Sequence, residues 1–107
     1  MSIDDSDRID IIGVDAATGE VMLTVADHLD WSDEYGHLIA LQKKLNTYIS
    51  FIESGEIVEQ YPNARGRRIV IDLAFKHDPS PAATEFLRRA TPTIESIGAE
   101  LRSRVKR

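Results

Sequence analysis

One stretch of the chain constrains the fold more than any other, because its apolar side chains recur at the spacing of an amphipathic helix. Between positions 38 and 52 they return every three or four residues and form one stripe, which must be buried against another layer. Ser32 is a suitable N-cap before this helix, and Gly55 is a suitable stop after it. The stripe consists of Leu38, Leu41, Leu45, Tyr48 and Ile52, and the opposite side is predicted to carry Lys43, Lys44, Asn46, Thr47, Ser50 and Glu53.

Two segments before this helix alternate in hydrophobicity with the period of a β-strand. We predict strands at Arg8–Val14 and Glu20–Ala26, joined by a turn at Asp15–Gly19. In such a turn the Asp side chain bonds the backbone and Gly accepts a positive φ, so the pair forms a first hairpin. The apolar residues of the first strand fall on two faces, with Ile9 and Ile11 on one and Ile12 and Val14 on the other.

The chain after the helix is predicted to repeat this architecture without repeating its residues. Glu56–Tyr61 and Arg67–Lys76 are read as the arms of a second hairpin, because Pro62–Gly66 between them has the composition of a turn. The first arm is short and the second alternates clearly.

A second helix starts at Pro79–Pro81 and ends at Gly98, since Pro is tolerated in a first turn and Gly is common at a helix end. Pro92 falls inside its apolar pattern, so we expect the helix to be kinked or divided near positions 90–91. The alternation of apolar and charged residues in Ala99–Lys106 predicts a last strand at a solvated surface or an edge of the sheet.

These elements predict an α+β fold, a two-layer sandwich in the order ββα-ββα-β. We expect one domain over residues 1–107, with residues 1–7 frayed, and an antiparallel or mixed sheet of four to five strands with two helices on one face. The other face is then partly uncovered, which is typical of a surface that binds a subunit or a ligand, or of a solvated half-polar sheet. The residues predicted there are Ile12, Val14, Met22 and Val70, among Thr24, Asp72 and arginines.

Composition limits the classes of function. The chain has no cysteine, which excludes thiolate metal sites, thiol catalysis and disulfides and fits the reducing cytoplasm. We expect no secretory signal at its acidic start, and no apolar run reaches the roughly 20 residues of a membrane helix. The net charge of −5 is uneven, since residues 1–36 carry ten acids and one base and residues 37–107 carry eight acids and twelve bases. Such asymmetry is typical of halves that attract each other, within one fold or between subunits, or of an acidic face for a basic partner.

The candidate site residues cluster where predicted strands meet predicted helices. If the two strands concerned run parallel, their junctions share one edge of the sheet beside two helix N-termini. Histidines and carboxylates at such an edge can bind a metal ion or an anion or transfer protons, and a tryptophan can form an apolar wall. The first junction contributes Asp27, His28, Asp30 and Trp31, the second contributes His77 beside Asp78, and His37 can turn toward the same edge.

A structural role for the same residues is the competing interpretation. Asp30 can cap the helix, Asp27 can bond the loop backbone, and His28 can meet a buried carbonyl. Trp31 can pack on Tyr35 or Leu38 as a hydrophobic staple.

No further catalytic or cofactor signature is present. Gly13 and Gly19 do not form a phosphate loop, and no recognised metal-binding spacing occurs, so we assign no catalytic residue, metal ligand or cofactor. Basic clusters at Arg65–Arg68 and Arg102–Arg107 can meet phosphates. Nucleic acid is nevertheless disfavoured as a partner, because the protein is acidic and its arginines lack interleaved aromatic residues.

Several short motifs spread over nearly the whole chain carry a resemblance. They are Asp27-His28-Leu29-Asp30-Trp31, His37-Leu38, Gln42-Lys43-Lys44-Leu45-Asn46, Ile9-Asp10, Gly13-Val14-Asp15, Thr18-Gly19-Glu20-Val21, Phe51-Ile52-Glu53-Ser54-Gly55, Tyr61-Pro62 and Gly66-Arg67-Arg68. In these motifs the chain resembles a family of small bacterial proteins of unknown function. The resemblance implies a bacterial, single-domain protein and implies no activity, partner or site residue.

We therefore expect a non-enzymatic, cytoplasmic protein-interaction domain that binds a second copy of itself or a companion protein, without a membrane. A neutraliser of a companion protein, of the immunity-protein kind, is one concrete form. The alternative is a small-ligand- or metal-binding protein, or an enzyme, that uses the edge around Asp27, His28 and His77.

Overall fold

Three parallel strands form the centre of the fold, and a fourth, antiparallel strand borders them on one side. The computed structural model describes residue 3 and residues 5–106, and its sheet has the order β1-β2-β3-β4. The strands are β1 (Ile11–Val14), β2 (Val21–Asp27), β3 (Ile69–Phe75) and β4 (Ala99–Val105). The helices are α1 (Glu34–Glu53), α2 (Glu56–Gln60) and α3 (Pro81–Ser96), with a short 3-10 helix at Pro62–Ala64.

Both long helices cover the same face of the sheet. Helix α1 connects β2 to β3 and α3 connects β3 to β4, as parallel neighbours require a crossover. The two helices also contact each other, so they lie in one layer. The side chains that β2 and β3 direct into this layer are Val21, Leu23, Val25, Ile71, Leu73 and Phe75, all at most 1% exposed. The expected two-layer α+β fold, with a mixed sheet of four strands, is thus confirmed.

The segment after α1 is helical and does not form the predicted strand. Gly55 reverses the chain with a φ of 82°, and Glu56–Gln60 then forms the short helix α2, which buries Ile57. Ile57 and Val58 are its two apolar residues, and two adjacent apolar residues in so short a segment fit the period of a helix as well as that of a strand. Strand β3 has no free side for a hairpin partner, because β2 and β4 occupy both. The second hairpin of the predicted ββα-ββα-β order is therefore replaced by a parallel crossover.

The prediction for the two faces of strand β1 was partly wrong. It begins at Ile11, and its register places Ile12 opposite Leu23 and Val14 opposite Val21. Both side chains therefore point toward the helices and not to the open face, whereas the expected open-face positions of Met22 and Val70 are confirmed.

Two helix details also differ from expectation. The N-cap of α1 is Asp33, whose carboxylate accepts a hydrogen bond from the Gly36 backbone N–H, and Ser32 lies one residue before this cap. Helix α3 runs through Pro92, so the expected division is wrong, while the expected kink stays a prediction. Pro92 and Arg88, whose carbonyl loses its usual donor, are both on the exposed side of the helix, where water can replace that bond.

The open face carries a lattice of ion pairs in place of a second helical layer. Arg102 pairs with Glu20 at 2.8 Å, and Arg104 pairs with Asp72 at 3.1 Å. Glu100 receives hydrogen bonds from Arg102 and from Arg68, and these lower the pKa of the Glu100 carboxyl. The face is uncovered by helices yet shielded, since Val70, Asp72 and Ala74 in its centre are buried.

A fully buried lysine fastens the N-terminal segment to α1. Lys44 was expected on the polar side of the helix, but its side chain is 0% exposed and its Nζ donates to the carbonyls of Asp5 and Arg8, each at 2.7 Å. The same Nζ lies 2.7 Å from Asp10 Oδ2, as an ion pair without good hydrogen-bond geometry at the carboxylate. The leader was expected to fray over residues 1–7. Residues 1, 2 and 4 lie outside the described residues, but Ile3 is buried in the core.

Tyr48 closes this contact. Its ring lies 5.6 Å from Lys44 Nζ, and its hydroxyl accepts a hydrogen bond from the Asp10 backbone N–H. Burial raises the pKa of the Tyr48 hydroxyl above its usual value.

Replacing Lys44 alone should strongly destabilise the fold. Lys44→Met leaves the Asp10 carboxylate buried without a counter-charge, and we expect a loss of about 3–5 kcal/mol in the free energy of unfolding. Urea denaturation measures this loss. In the double variant Lys44→Met/Asp10→Asn the buried charge is gone, so it should recover a part of the stability. Additive losses from the two substitutions would contradict a coupled pair.

Candidate functional site

The two strand-to-helix junctions do share one edge of the sheet. Strands β2 and β3 run parallel in a register that places Asp27 beside Phe75. The ladder continues one residue further, because the Lys76 backbone N–H donates to the Asp27 carbonyl at 2.8 Å. The carboxyl ends of both strands therefore lie side by side, as parallel pairing requires.

A buried carboxylate–imidazole pair lies at this edge. Asp27 ends β2 on the helix side of the sheet, and His37 lies in the first turns of α1 facing it. The distance from His37 Nε2 to Asp27 Oδ2 is 2.6 Å, and both residues are at most 3% exposed. The other carboxylate oxygen accepts a hydrogen bond from the Leu29 backbone N–H at 3.1 Å. The pair thus joins the end of a strand to the start of a helix.

The hydrogen bonds determine where protons lie in this pair. His37 Nδ1 is 2.9 Å from the backbone carbonyl of Asp30, and a carbonyl can only accept, so Nδ1 carries a hydrogen. The other ring nitrogen, Nε2, is engaged by the Asp27 carboxyl group at 2.6 Å. Both ring nitrogens are therefore occupied, and the imidazole offers no free nitrogen to a substrate or a metal ion in this arrangement.

Trp31 covers the pair. Its ring stacks on the His37 imidazole with 3.6 Å between centroids and 17° between planes. The centroid of the tilted Phe75 ring lies 6.3 Å from that of Trp31. The aromatic partner on which Trp31 stacks is thus His37 and not Tyr35, which is 77% exposed. The Trp31 Nε1 atom is buried without a hydrogen-bond partner in the described part of the chain.

Asp30 shapes the loop that leads into α1. Its carboxylate accepts hydrogen bonds from the Ser32 hydroxyl at 2.6 Å and from the Ser32 backbone N–H at 3.1 Å. These bonds lower the pKa of the Asp30 carboxyl below its usual value. Asp30 therefore stabilises a turn, whereas the cap of α1 is supplied by Asp33.

The predicted site residues thus separate into two groups. The structure brings together Asp27, Asp30, Trp31 and His37, while the other two histidines of the prediction, His28 and His77, are exposed outside the buried pair. Across residue 3 and residues 5–106, no three acidic or histidine side chains are grouped so that they could hold a metal ion.

A second feature of this edge lies on the open face of the sheet. A cavity of about 300 Å³ is lined by Ala26, Asp27, His28, Ala74, Lys76 and Lys106. The two lysines were not among the predicted site residues. Each of them directly follows a strand in the sequence, as His28 does. This position indicates a shared site only once the strands are known to be parallel and in register.

A family match covers the whole chain. A model of a family of unknown function matches residues 1–107. The chain belongs to the family of unknown function DUF6572. This DUF6572 chain gave no match among curated proteins and none among solved structures. None of its helices within the described range is long and apolar enough to cross a membrane.

Removing His37 should cost far more stability than removing either exposed histidine. His37→Ala leaves Asp27 buried without its partner, so we expect a loss of about 3–5 kcal/mol in the free energy of unfolding. His28→Ala and His77→Ala serve as matched controls and should each change it by less than about 0.5 kcal/mol. Equilibrium urea denaturation compares the three. A loss below about 1 kcal/mol for His37→Ala would show that the buried pair contributes little to the fold.

Proposed function

We propose that the chain is a non-enzymatic protein-interaction domain whose first partner is a second copy of itself, bound through the free edge of β1. The observation that carries the proposal is a contrast between the two edge strands. Strand β4 carries Glu100, Arg102 and Arg104, and charges of this kind protect an edge from pairing. Strand β1 has the sequence Ile-Ile-Gly-Val and carries no charge.

The backbone of β1 is suited to this pairing. The Asp15 backbone N–H donates to the Glu20 carbonyl at 2.8 Å, which sets the alternation of the antiparallel ladder. By that alternation the backbone groups of Ile11 and Gly13 point toward β2, and those of Ile12 and Val14 point away from the sheet. An antiparallel copy of β1 can bond these outward groups, with Ile12 of one chain opposite Val14 of the other.

Gly13 supports the same geometry. In this pairing Gly13 faces Gly13 of the second copy across the two-fold axis, at a position where Cα atoms approach to about 4.5 Å. The chain itself does not require glycine here, because its φ is not positive and a Cβ would meet nothing within 4 Å. A glycine in a strand often marks close approach of another backbone. The neighbouring Ile11 is 42% exposed and would be covered in the dimer.

The charges of the open face are compatible with a second copy. The ion-pair lattice contains three carboxylates and three arginines, Glu20, Asp72, Glu100, Arg68, Arg102 and Arg104. The six charges of the lattice therefore cancel, and they lie on or beside β2, β3 and β4, away from the proposed contact edge of β1. A dimer through β1 would join two such faces into one continuous surface for a companion protein.

Two further observations favour binding over catalysis and fit the expected setting. The Asp27–His37 pair has its polar atoms engaged within the chain and lies under Trp31, so its chemistry is that of a structural clamp. The cysteine-free composition supports a reducing compartment, such as the bacterial cytoplasm.

The test places like and unlike charges on the proposed axis. Gly13→Lys sets two ammonium groups opposite each other, and like charges in this position disfavour pairing by about 0.2–1 kcal/mol, up to about fivefold in the dimer dissociation constant. Gly13→Glu should act similarly. Native mass spectrometry and light scattering measure the dimer fraction over a dilution series.

The decisive sample mixes the two variants. Gly13→Lys with Gly13→Glu should form the mixed dimer above its statistical share, because the opposite charges then face each other. Gly13→Ala is the matched control, which replaces the glycine without adding a charge, and it should stay closer to the wild type than either charged variant. A monomeric wild type, or a mixed dimer at the statistical share only, would overturn the proposal.

A further inference from the structure

One basic residue stands directly after each of the three parallel strands. His28 follows β2, Lys76 follows β3 and Lys106 follows β4. The strands end in register, with Asp27, Phe75 and Val105 side by side. The ladder also extends beyond these ends, since the Lys106 backbone N–H donates to the Phe75 carbonyl at 2.7 Å. The three basic residues therefore form one row across the carboxyl end of the sheet.

This row borders a cavity on the open face. Side chains alternate along a strand, so the row shares the face of Ala26 and Ala74, which lie opposite each other two residues earlier. The short side chains of the two alanines leave space above the sheet, and the volume of the cavity is about 300 Å³. That volume lies at the lower end of the range for small-molecule sites.

The charges in the row differ from those of the rest of the open face. Arg68, Arg102 and Arg104 each have a carboxylate partner. Among the described residues Lys76 and Lys106 take part in none of the ion pairs, and both are exposed. Asp27 does not neutralise them, because its carboxylate lies on the helix side and binds His37 and the Leu29 backbone.

We propose that this cavity binds the phosphate group of a small soluble phosphate monoester. The two ammonium groups would contact the phosphate oxygens, as lysine does in many phosphate sites. The His28 imidazole has an N–H to donate in either protonation state. The site is independent of the proposed dimer, because it lies over β2, β3 and β4 whereas the dimer forms at the free edge of β1.

The experiment uses inorganic phosphate and glycerol 3-phosphate as probes, with sodium chloride at matched ionic strength as the reference. Both probes should raise the melting temperature of the wild type and shift the backbone amide resonances of His28, Lys76 and Lys106. Lys76→Gln and Lys106→Gln should each weaken binding by at least about tenfold. Lys43→Gln removes the same charge from an exposed position on α1 and should bind like the wild type.

Each other result would overturn the proposal. No shift with either probe would exclude the site, and equal shifts in all three lysine variants would show a general salt effect. Vesicles containing phosphatidic acid, which presents the same monoester on a lipid, separate the source. If the wild type co-sediments with these vesicles and Lys76→Gln does not, the site binds a membrane lipid and not a soluble ligand.

Discussion

The parallel pairing of β2 with β3 is the constraint on which the rest of the fold depends. Parallel neighbours cannot be joined by a tight turn, so α1 must cross the sheet between them, and α3 does the same between β3 and β4. Both crossovers lie on one face, which leaves the opposite face without a helical layer. The same pairing brings the two strand-to-helix junctions to one edge and leaves β1 at the border of the sheet.

A buried carboxylate–imidazole pair and a buried ion pair hold α1 in this arrangement. Asp27–His37 fixes the start of the helix to the end of β2, and Lys44–Asp10 fixes its middle to the N-terminal segment. Burying a charge is costly unless a partner and hydrogen bonds compensate it, so each pair is strongly coupled to its surroundings. The consequence for function is direct, because most of the predicted site residues hold the fold together, with His28 and His77 as the exceptions. The groups that we propose for binding are the edge of β1 and the basic row above Ala26 and Ala74.

Much of the fold could be predicted because periodicity is a local property. The apolar stripe around Leu41 and Leu45 correctly predicted α1, and the alternation of apolar residues correctly predicted β2, β3 and β4. The Asp15 side chain and the positive φ of Gly19 form the expected first turn. Lys44 was missed although it occupies the stripe, since 37, 41, 44, 48 and 51 are spaced alternately by four and three. A lone lysine is rarely buried, so composition outweighed spacing there.

The site was less predictable because it depends on tertiary pairing. His37 was placed near the right edge, but its contact with Asp27 follows only once α1 crosses back over the end of β2. The strand assigned to Glu56–Tyr61 concealed the crossover, because two adjacent apolar residues fit helix and strand equally well. Lys76 and Lys106 follow strands that are 30 residues apart in the sequence, so no local pattern connects them.

Amide hydrogen exchange at Ile12 and Val14 tests the central claim, that β1 pairs with a second copy, most directly. Their backbone N–H groups point away from the sheet, whereas the N–H of Gly13 bonds to β2 in monomer and dimer alike and provides an internal reference. We predict that the exchange of Ile12 and Val14 slows as protein concentration rises, while that of Gly13 changes little. Fast exchange of both amides at every concentration would contradict the account.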